Sequence, residues 1–255
     1  MSQQNPPFQA GSRSHLSLLL WRIALFAGLI LLWELCARWN GERLLPTPEH
    51  VLNAFVSLAG RADSWADLLR TLVRGAAGLL LGGLSGLAAG VFCGRHPRLH
   101  DTLSPLVTLV QSCPPIVWIS LLLVWLSLGG GVPLVVSCIS VFPVIFIQTA
   151  NAVRGLDARW FEVARVYRVS SLRQLWLLIL PGISHALAGA FSYAFGIAWK
   201  VTATAEFFGA QDGVGARIYQ SYRALDLEQL FAWTLAVALL GVAIEALLIK
   251  RIRKS

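Results

Sequence analysis

Residues 102–153 read TLSPLVTLVQSCPPIVWISLLLVWLSLGGGVPLVVSCISVFPVIFIQTANAV and contain no charged side chain. A helix crosses the hydrocarbon core of a bilayer in about 20 apolar residues, so this run is too long for one crossing. The glycines at 129–131 and Pro133 lie where a turn between two crossings is expected. The run therefore predicts two consecutive membrane spans.

Similar apolar runs occur on both sides of this stretch. Only 13% of the residues are charged, whereas soluble domains carry about 25%. Lipid offers no hydrogen bonds to free backbone groups, so spans are helices or closed barrels, and continuous apolar runs favour helices. The sequence predicts an all-α integral membrane protein with about six transmembrane helices. Their positions are 16–37, 72–94, 103–128, 132–152, 176–204 and 229–249.

The second of these spans is rich in glycine. Its glycines lie at positions 75, 78, 82, 83, 86 and 90. Small residues let helices approach closely in lipid, where apolar contact alone gains little free energy. We therefore expect this span to pack tightly against another helix, either in the same chain or in a dimer.

Basic residues are concentrated on one side of the six spans. Most lysines and arginines fall in the N-terminal tail, the 95–101 and 153–175 segments and the C-terminus, and most acidic residues fall on the opposite side. Because an excess of Lys and Arg marks cytoplasmic loops, both termini are predicted to be cytoplasmic. Membrane orientation thus explains the net charge of +8, and no nucleic-acid partner is predicted.

The chain is predicted to form one transmembrane domain over residues 16–250, with a cytoplasmic segment at about 153–175. Residues 1–15 are polar and are expected to be a disordered cytoplasmic tail, and residues 251–255 a basic cytoplasmic tail. The first apolar run lacks a small-residue cleavage site near its end. It is therefore interpreted as a retained span and not as a signal peptide.

No sequence motif for bond chemistry is present. The chain has no GxxxxGK[ST] phosphate loop, no HExxH and no GxSxG. Its cysteines lie in apolar runs, form no CxxC pair, and are expected to pack as small hydrophobic residues. They are Cys36, Cys93, Cys113 and Cys138. We therefore expect no enzymatic activity in this chain, no metal site and no cofactor.

The stretch at residues 153–181 reads VRGLDARWFEVARVYRVSSLRQLWLLILP and lies on the predicted cytoplasmic side. Apolar residues at i, i+4, i+7 and i+11 from Leu156 share one helical face, and Ser170 and Ser171 allow a second helix to begin. An amphipathic helix of this kind rests on the membrane surface or docks in a groove of a cytoplasmic partner. The residues by themselves leave both interpretations open.

This stretch resembles the cytoplasmic signature of the permeases of ABC importers, which is Glu-Ala-Ala, three residues, Gly, nine residues, Ile, any residue, Leu-Pro. The matching positions, at the same spacing, are Glu162, Val163, Ala164, Arg168, Leu178, Leu180 and Pro181. In that family the segment forms the coupling helices that dock on the ATPase subunit. Arg168 replaces a Gly that can adopt a positive φ between two short helices, which Arg resists. We therefore expect either the turn or the coupling to differ here.

Other segments resemble one branch of that family, the nitrate, taurine, aliphatic sulfonate and thiamine-precursor importers. They are LLWELCARW at 31–39, LLPTPEHV at 44–51, PPIVW at 114–118, and AEFFGA at 205–210 followed by GVG at 213–215. The resemblance covers roughly residues 30–250. It implies a fold like that of type I ABC importer permeases, in the inner membrane of a bacterium.

A few residues are candidates for a transport pathway. Pro114 and Pro115 interrupt the helical ladder, as in the kinked spans of transporters, and structural bending is the alternative. Lys200 is an ionisable residue in a span, which favours a functional role and an anionic substrate, although it can also snorkel to the interface. His185 either packs with a hydrogen bond or lines the path. The candidate set is Pro114, Pro115, Trp118, Lys200 and Glu206.

The resemblance implies the permease subunit of an ABC importer for a small solute, such as a nitrate-, sulfonate- or taurine-like anion or a thiamine precursor. It also implies three protein partners: an ATPase subunit, a periplasmic or lipid-anchored solute-binding protein, and a second permease in a homodimer or heterodimer. A self-sufficient secondary transporter or channel is the alternative. It would need several charged groups inside the spans, where Lys200 is nearly alone.

Overall fold

The computed structural model describes residues 15–41 and 44–252, and this part of the chain is helical without a strand. The helices are α1 His15–Asn40, α2 Pro48–Ala59, α3 Ala62–Gly94, α4 Pro97–Ser112, α5 Pro115–Leu126, α6 Gly131–Arg154, α7 Ala158–Val166, α8 Ser171–Gln174, α9 Leu180–Gly209, α10 Val214–Ala224 and α11 Leu227–Ile252. Apart from His15 and residues 251–252, the predicted tails lie outside the described residues.

Four helical segments are long and apolar enough to cross a membrane. They are α1, α3, α6 and the continuous helix Ser171–Gly209, and the bent pair α4–α5 provides a fifth. The sixth predicted span corresponds to α11, whose apolar part Leu227–Ala243 is shorter. The predicted all-α membrane fold is confirmed. Below, the end of the molecule that carries α7, which the charge distribution predicts to be cytoplasmic, is called the cytoplasmic end, and the opposite end the external end.

The predicted third span, 103–128, is interrupted at the Pro–Pro pair, as the sequence indicated. The structure divides it into α4 and α5, whose axes differ by 89°. A residue before proline is disfavoured in the helical conformation, and Cys113 is accordingly extended, with φ −70° and ψ 126°. Pro115 then takes a first-turn position of α5, where a missing N–H costs nothing. The Pro–Pro pair therefore breaks the span instead of only bending it.

The centre of the fold is the packing of α3 against α6 and α9. Glycines at every fourth position of α3, from 78 to 94, face α6. A Cβ atom on Gly86 would lie 2.7 Å from the Phe142 carbonyl oxygen, so the two backbones are in direct contact there. This confirms the tight packing expected of the glycine-rich span and places its partner within the chain.

The last part of the predicted cytoplasmic segment, from Ser171 onward, and the fifth span form one helical rod. A π-helical turn, Leu175–Ile179, joins α8 to α9, and Pro181 follows it in the first turn of α9. Proline cannot donate an N–H, and its ring crowds the carbonyl four residues earlier. A widened turn beside it relieves that crowding without ending the helix. The second helix predicted after Ser170 is thus the cytoplasmic extension of α9.

Candidate coupling surface and transport pathway

The first candidate site is α7, the short helix at the cytoplasmic end. Asp157 begins it, with its Oδ1 accepting a hydrogen bond from Arg159 N at 2.9 Å. Ala164 is buried, and Phe161 packs against the cluster that contains Val153 and Ile179. One face of α7 is therefore fixed on the ends of α6 and α9.

The opposite face of α7 is apolar and exposed. Trp160 is 61% exposed, Val163 50% and Tyr167 77%. These are three of the four residues whose spacing predicted an apolar face, and the fourth, Leu156, packs into the interior. Glu162, which precedes Val163 on the same helix, is also exposed. We call these four exposed residues, Trp160, Glu162, Val163 and Tyr167, the α7 face.

The turn after α7 keeps the geometry that the motif glycine would give. Arg168 has φ +51°, in the left-handed region. Arg168 N donates to Arg165 O at 3.0 Å and Val169 N to Ala164 O at 2.9 Å, the two bonds of a Schellman motif. The expectation that the turn differs is therefore wrong, because Arg168 adopts the conformation that its Cβ disfavours.

The remaining motif residues lie on the helical rod. Leu178, in the π-helical turn, packs against the cluster of Val153 and Ile179. Leu180 is partly buried and Pro181 is exposed at the start of α9. The structure thus brings the whole motif together at the cytoplasmic end, with Glu162 and Val163 on its exposed side.

The second candidate site is the break in the third span. A pocket of about 200 Å³ opens beside it, between α4, α5, α6 and α9. Pro115 and Trp118 line it, as do Gln111 and Cys113 from α4 and Tyr193 from α9. Pro114, at the break itself, is exposed next to the pocket. Three of the predicted pathway residues therefore lie together.

One face of α9 continues this pocket as a polar stripe. Positions spaced by three or four residues share a helical face. Along one face of α9, six positions with this spacing carry only small or polar residues, and all six are exposed or half-exposed. We call this set the α9 stripe: His185, Gly189, Tyr193, Gly196, Lys200 and Thr204. Lys200 lies two turns beyond Tyr193, toward the external end.

At the external end a buried network surrounds Glu206, which is 0% exposed. Its Oε1 accepts a hydrogen bond from Arg74 Nη1 at 2.9 Å, and its Oε2 accepts one from Thr71 Oγ1 at 2.7 Å. Arg74 also donates to Asp212 Oδ1 at 2.5 Å. Buried charges are stable only when they are paired in this way. Glu206 therefore connects α9 to α3, and the pathway role suggested for it stays a prediction.

The same network caps the N-terminus of α10. Three consecutive backbone N–H groups donate to side chains of other helices: Gly213 to Asp67 at 3.1 Å, Val214 to Thr71 at 2.9 Å and Gly215 to Glu206 at 3.2 Å. The two carboxylates also complement the positive end of the helix dipole. Gly213, with φ +99°, packs its Cα against the Glu206 carboxylate, so a side chain cannot replace its hydrogen.

Sequence reasoning missed most of this network. Its other members are Asp67, Thr71, Arg74, Asp212 and Arg217. A signal was present, because Asp67, Arg70 and Arg74 are spaced as one face of a helix that continues into the glycine-rich span. No group of three or more His, Cys, Asp or Glu residues suited to a metal ion occurs in the part of the chain that the structure describes.

Comparison with known proteins identifies the family of this architecture. A family model described as "Binding-protein-dependent transport system inner membrane component" matches residues 86–253. The putative aliphatic sulfonates transport permease protein SsuC of Bacillus subtilis is 27% identical over 84% of this chain and 79% of its own length. The taurine transport system permease protein TauC of Escherichia coli is 23% identical, over 79% of this chain and 75% of its own length.

The nitrate import permease protein NrtB of Leptolyngbya laminosa is also similar, with 25% identity over 71% of this chain and 65% of its own length. Among solved structures, a bacterial ABC transporter involved in import of the acidic polysaccharide alginate matches 92% of this chain and 95% of its own, with a TM-score of 0.67 at 15% identity. The MetNI methionine ABC transporter in an inward-facing conformation matches 73% and 93%, with a TM-score of 0.64 at 19% identity. At these identities the structures show the fold, and the relatives match the nitrate, taurine and sulfonate branch.

Proposed function

The chain belongs to the family of binding-protein-dependent transport system inner membrane components, and we propose that it is the permease subunit of a bacterial ABC importer. It spans the inner membrane several times, performs no bond chemistry, and forms the path for the solute. ATP is hydrolysed in a separate ATPase subunit, and a solute-binding protein delivers the solute at the external end. A second copy of the chain completes the membrane unit.

The α7 face is the main observation that supports this proposal. A cytoplasmic helix that buries Ala164 and Phe161 against the spans but leaves Trp160, Val163 and Tyr167 exposed has the form of a docking helix. It lies directly on the ends of α6 and α9, so a movement of α7 is transmitted to two spans. An exposed apolar face on a short helix that is fixed to the spans is typical of a helix that docks in a protein groove.

Co-purification with the ATPase subunit tests the proposal. The tagged chain is isolated from its native membrane in a gentle detergent, and its partners are identified by mass. We expect an ATPase with a phosphate loop to be recovered with the wild-type chain and to be largely lost with Glu162→Lys or Val163→Asp. Each change introduces a charge that the complementary groove cannot accommodate.

The matched control is Asp101→Lys, which makes the same change of charge at an exposed carboxylate of the cytoplasmic end. It should retain the ATPase, because exposed ion pairs contribute little to stability. Recovery of the wild-type chain without an ATPase, together with transport in proteoliposomes that lack ATP, would contradict the proposal and favour a secondary transporter.

We further propose that the α9 stripe and the pocket at the span break line the solute path. A helix facing lipid carries apolar side chains, whereas this stripe carries His185, Tyr193, Lys200 and two glycines. Such a surface is suited to a water-filled cavity or a facing protein. Discontinuous helices beside it are typical of the solute sites of transporters.

Lys200, the cation of this stripe, favours a small anion as the solute, and the sulfonate, taurine and nitrate relatives support that class. Uptake of labelled taurine, an alkanesulfonate and nitrate by cells that express the complete importer identifies the solute. Lys200→Met should then reduce the uptake of that anion by about tenfold or more, the loss of one charge–charge contact in a desolvated site. Lys200→Arg should retain most of it, and unchanged uptake by Lys200→Met would contradict the role of Lys200.

A further inference from the structure

A basic cleft lies at the cytoplasmic end, on the side of α7 away from the α7 face. It has a volume of about 630 Å³ and lies between α7, the turn that follows it, and the ends of α3 and α6. Four arginines line this cleft: Arg95, Arg154, Arg165 and Arg168. No aspartate or glutamate lines it. The local charge is therefore strongly positive in a volume typical of small-ligand sites.

Two of the four arginines already have partners. Arg95 donates to Gln174 Oε1 at 3.2 Å, and Arg154 contacts His100 and donates to Asp101 Oδ1 at 3.3 Å. Both also follow or end a helix, where a cation stabilises the free carbonyl groups. Their presence in the cleft is thus explained by the fold.

Arg165 and Arg168 are different. Within residues 15–41 and 44–252 neither guanidinium group makes a hydrogen bond or an ion pair. Mutual repulsion in the cleft also disfavours placing a third and a fourth cation beside two others. Arg165 lies in the last turn of α7, where a cation is favoured, but no local partner holds either guanidinium group at this volume.

Arg168 also occupies the cleft at a cost in backbone energy. It stands in the left-handed conformation, with φ +51°, at the position where the family signature has glycine. For a residue with a Cβ this conformation costs about 1–2 kcal/mol. Strain of this kind is characteristic of functional positions, where the side chain does something that glycine cannot do.

We propose that the cleft is a cytoplasmic binding site for a phosphate-bearing anion. Guanidinium groups bind phosphate oxygens through paired, charge-assisted hydrogen bonds, and Arg165 and Arg168 offer unused donors for them. The volume exceeds that of a single inorganic ion, so the ligand is a phosphorylated solute or the headgroup of an anionic lipid. Such a site is independent of the proposed solute path.

Pyrophosphate is the probe for this site. The full chain is placed in nanodiscs of zwitterionic phosphatidylcholine, and pyrophosphate binding is measured by calorimetry. We expect saturable binding that Arg168→Gly and Arg165→Gln each weaken by about tenfold, the loss expected when one charged hydrogen-bond donor is removed. Arg168→Gly restores the residue that the turn prefers, so weaker binding by this variant does not reflect misfolding.

Arg159→Gln is the matched control. Arg159 is an exposed arginine of the same helix, α7, that does not line the cleft. Its removal takes away the same charge and should change the pyrophosphate affinity by less than about twofold, because Arg159 does not line the cleft and acts on a ligand there only through solvent.

Native mass spectrometry distinguishes the two sources of the phosphate group. If a lipid headgroup is the natural ligand, the wild-type chain retains phosphatidylglycerol from native membranes, and Arg168→Gly and Arg165→Gln lose it. Saturable pyrophosphate binding without retained lipid indicates a soluble ligand. Absence of saturable pyrophosphate binding, with equal lipid retention by all variants, overturns the proposal. If the two cleft variants then also lose the ATPase subunit, Arg165 and Arg168 contribute to protein docking instead.

Discussion

At the residue scale, Arg168 shows how tertiary contacts impose a conformation on an unsuited residue. The Schellman bonds of α7 and the start of the helical rod at Ser171 fix the turn from both sides. Arg168, which lies between these two elements, must therefore adopt the left-handed conformation. The cost is local and is removed by glycine, whereas alanine retains the Cβ that causes it.

This difference gives a stability prediction. Arg168→Gly and Arg168→Ala remove the same charge, so their comparison isolates the backbone term. We expect Arg168→Gly to be more stable than Arg168→Ala by about 1 kcal/mol, or about 2–4 °C in unfolding temperature for a chain of this size. Thermal unfolding of the purified chains in one detergent measures it. Equal unfolding temperatures would mean that the turn relaxes in the alanine variant.

The charged residues show what sequence reasoning can and cannot find at this scale. A charge inside a span is visible in the sequence, and Lys200 was identified in that way, with Glu206 six residues beyond it. Their environments differ, since Lys200 is exposed on the α9 stripe and Glu206 is enclosed by Arg74 and Thr71. These partners lie more than a hundred positions away along the chain, so one sequence without contacts cannot reveal them.

At the element scale, the contact between α3 and α6 depends on the absence of side chains. Leu and Phe cannot replace the glycines at 78, 82, 86 and 90, because carbonyl oxygens or Cβ atoms of α6 lie within 3 Å of each hypothetical Cβ. In lipid such close approach supplies the packing energy that the hydrophobic effect supplies in water. One added methyl group therefore separates two backbones instead of filling a gap.

Gly86→Ala tests this contact. The new Cβ would lie 2.7 Å from the Phe142 carbonyl oxygen, and overpacking of this kind costs about 1–3 kcal/mol. We expect a lower unfolding temperature in detergent and a lower yield of folded chain. Gly28→Ala in α1 is the control, because nothing lies within 4 Å of that position, and its helix propensity should improve stability slightly. Equal stability of the two variants would show that α3 and α6 can separate at no cost.

The sequence predicts where the helices lie along the chain, but it does not predict the angles between them. The apolar runs gave the spans, and Pro114 with Pro115 marked where the third span is interrupted. The 89° bend between α4 and α5 does not follow from those prolines, because a Pro–Pro pair only forbids the continuous ladder. The packing of Ile119 and Leu122 against Val132 and Val136 sets the direction of α5. That information resides in tertiary contacts.

At the scale of the whole molecule, the two ends of the spans are held differently. The external end is fixed by ion pairs and by the bond from Gly129 N to Gly209 O at 2.9 Å, which ties the α5–α6 turn to α9. The cytoplasmic end rests on apolar contacts of α7 and on exposed polar contacts. Apolar contacts slide more readily than buried ion pairs break, so a force applied to α7 should move the cytoplasmic ends first.

This asymmetry predicts that access to the α9 stripe depends on the state of the ATPase. In a variant that lacks the four native cysteines, Gly196→Cys places one thiol on the stripe, where open space surrounds the position. An impermeant maleimide added from the external side should label it more when the complete importer is trapped with nucleotide than when it is nucleotide-free. Leu81→Cys, on an exposed and apolar face of α3, is the control. We expect this face to contact lipid, so the thiol should stay unlabelled in both states. Equal labelling of Gly196→Cys in both states would contradict alternating access, and equal labelling without any ATPase would indicate an open channel.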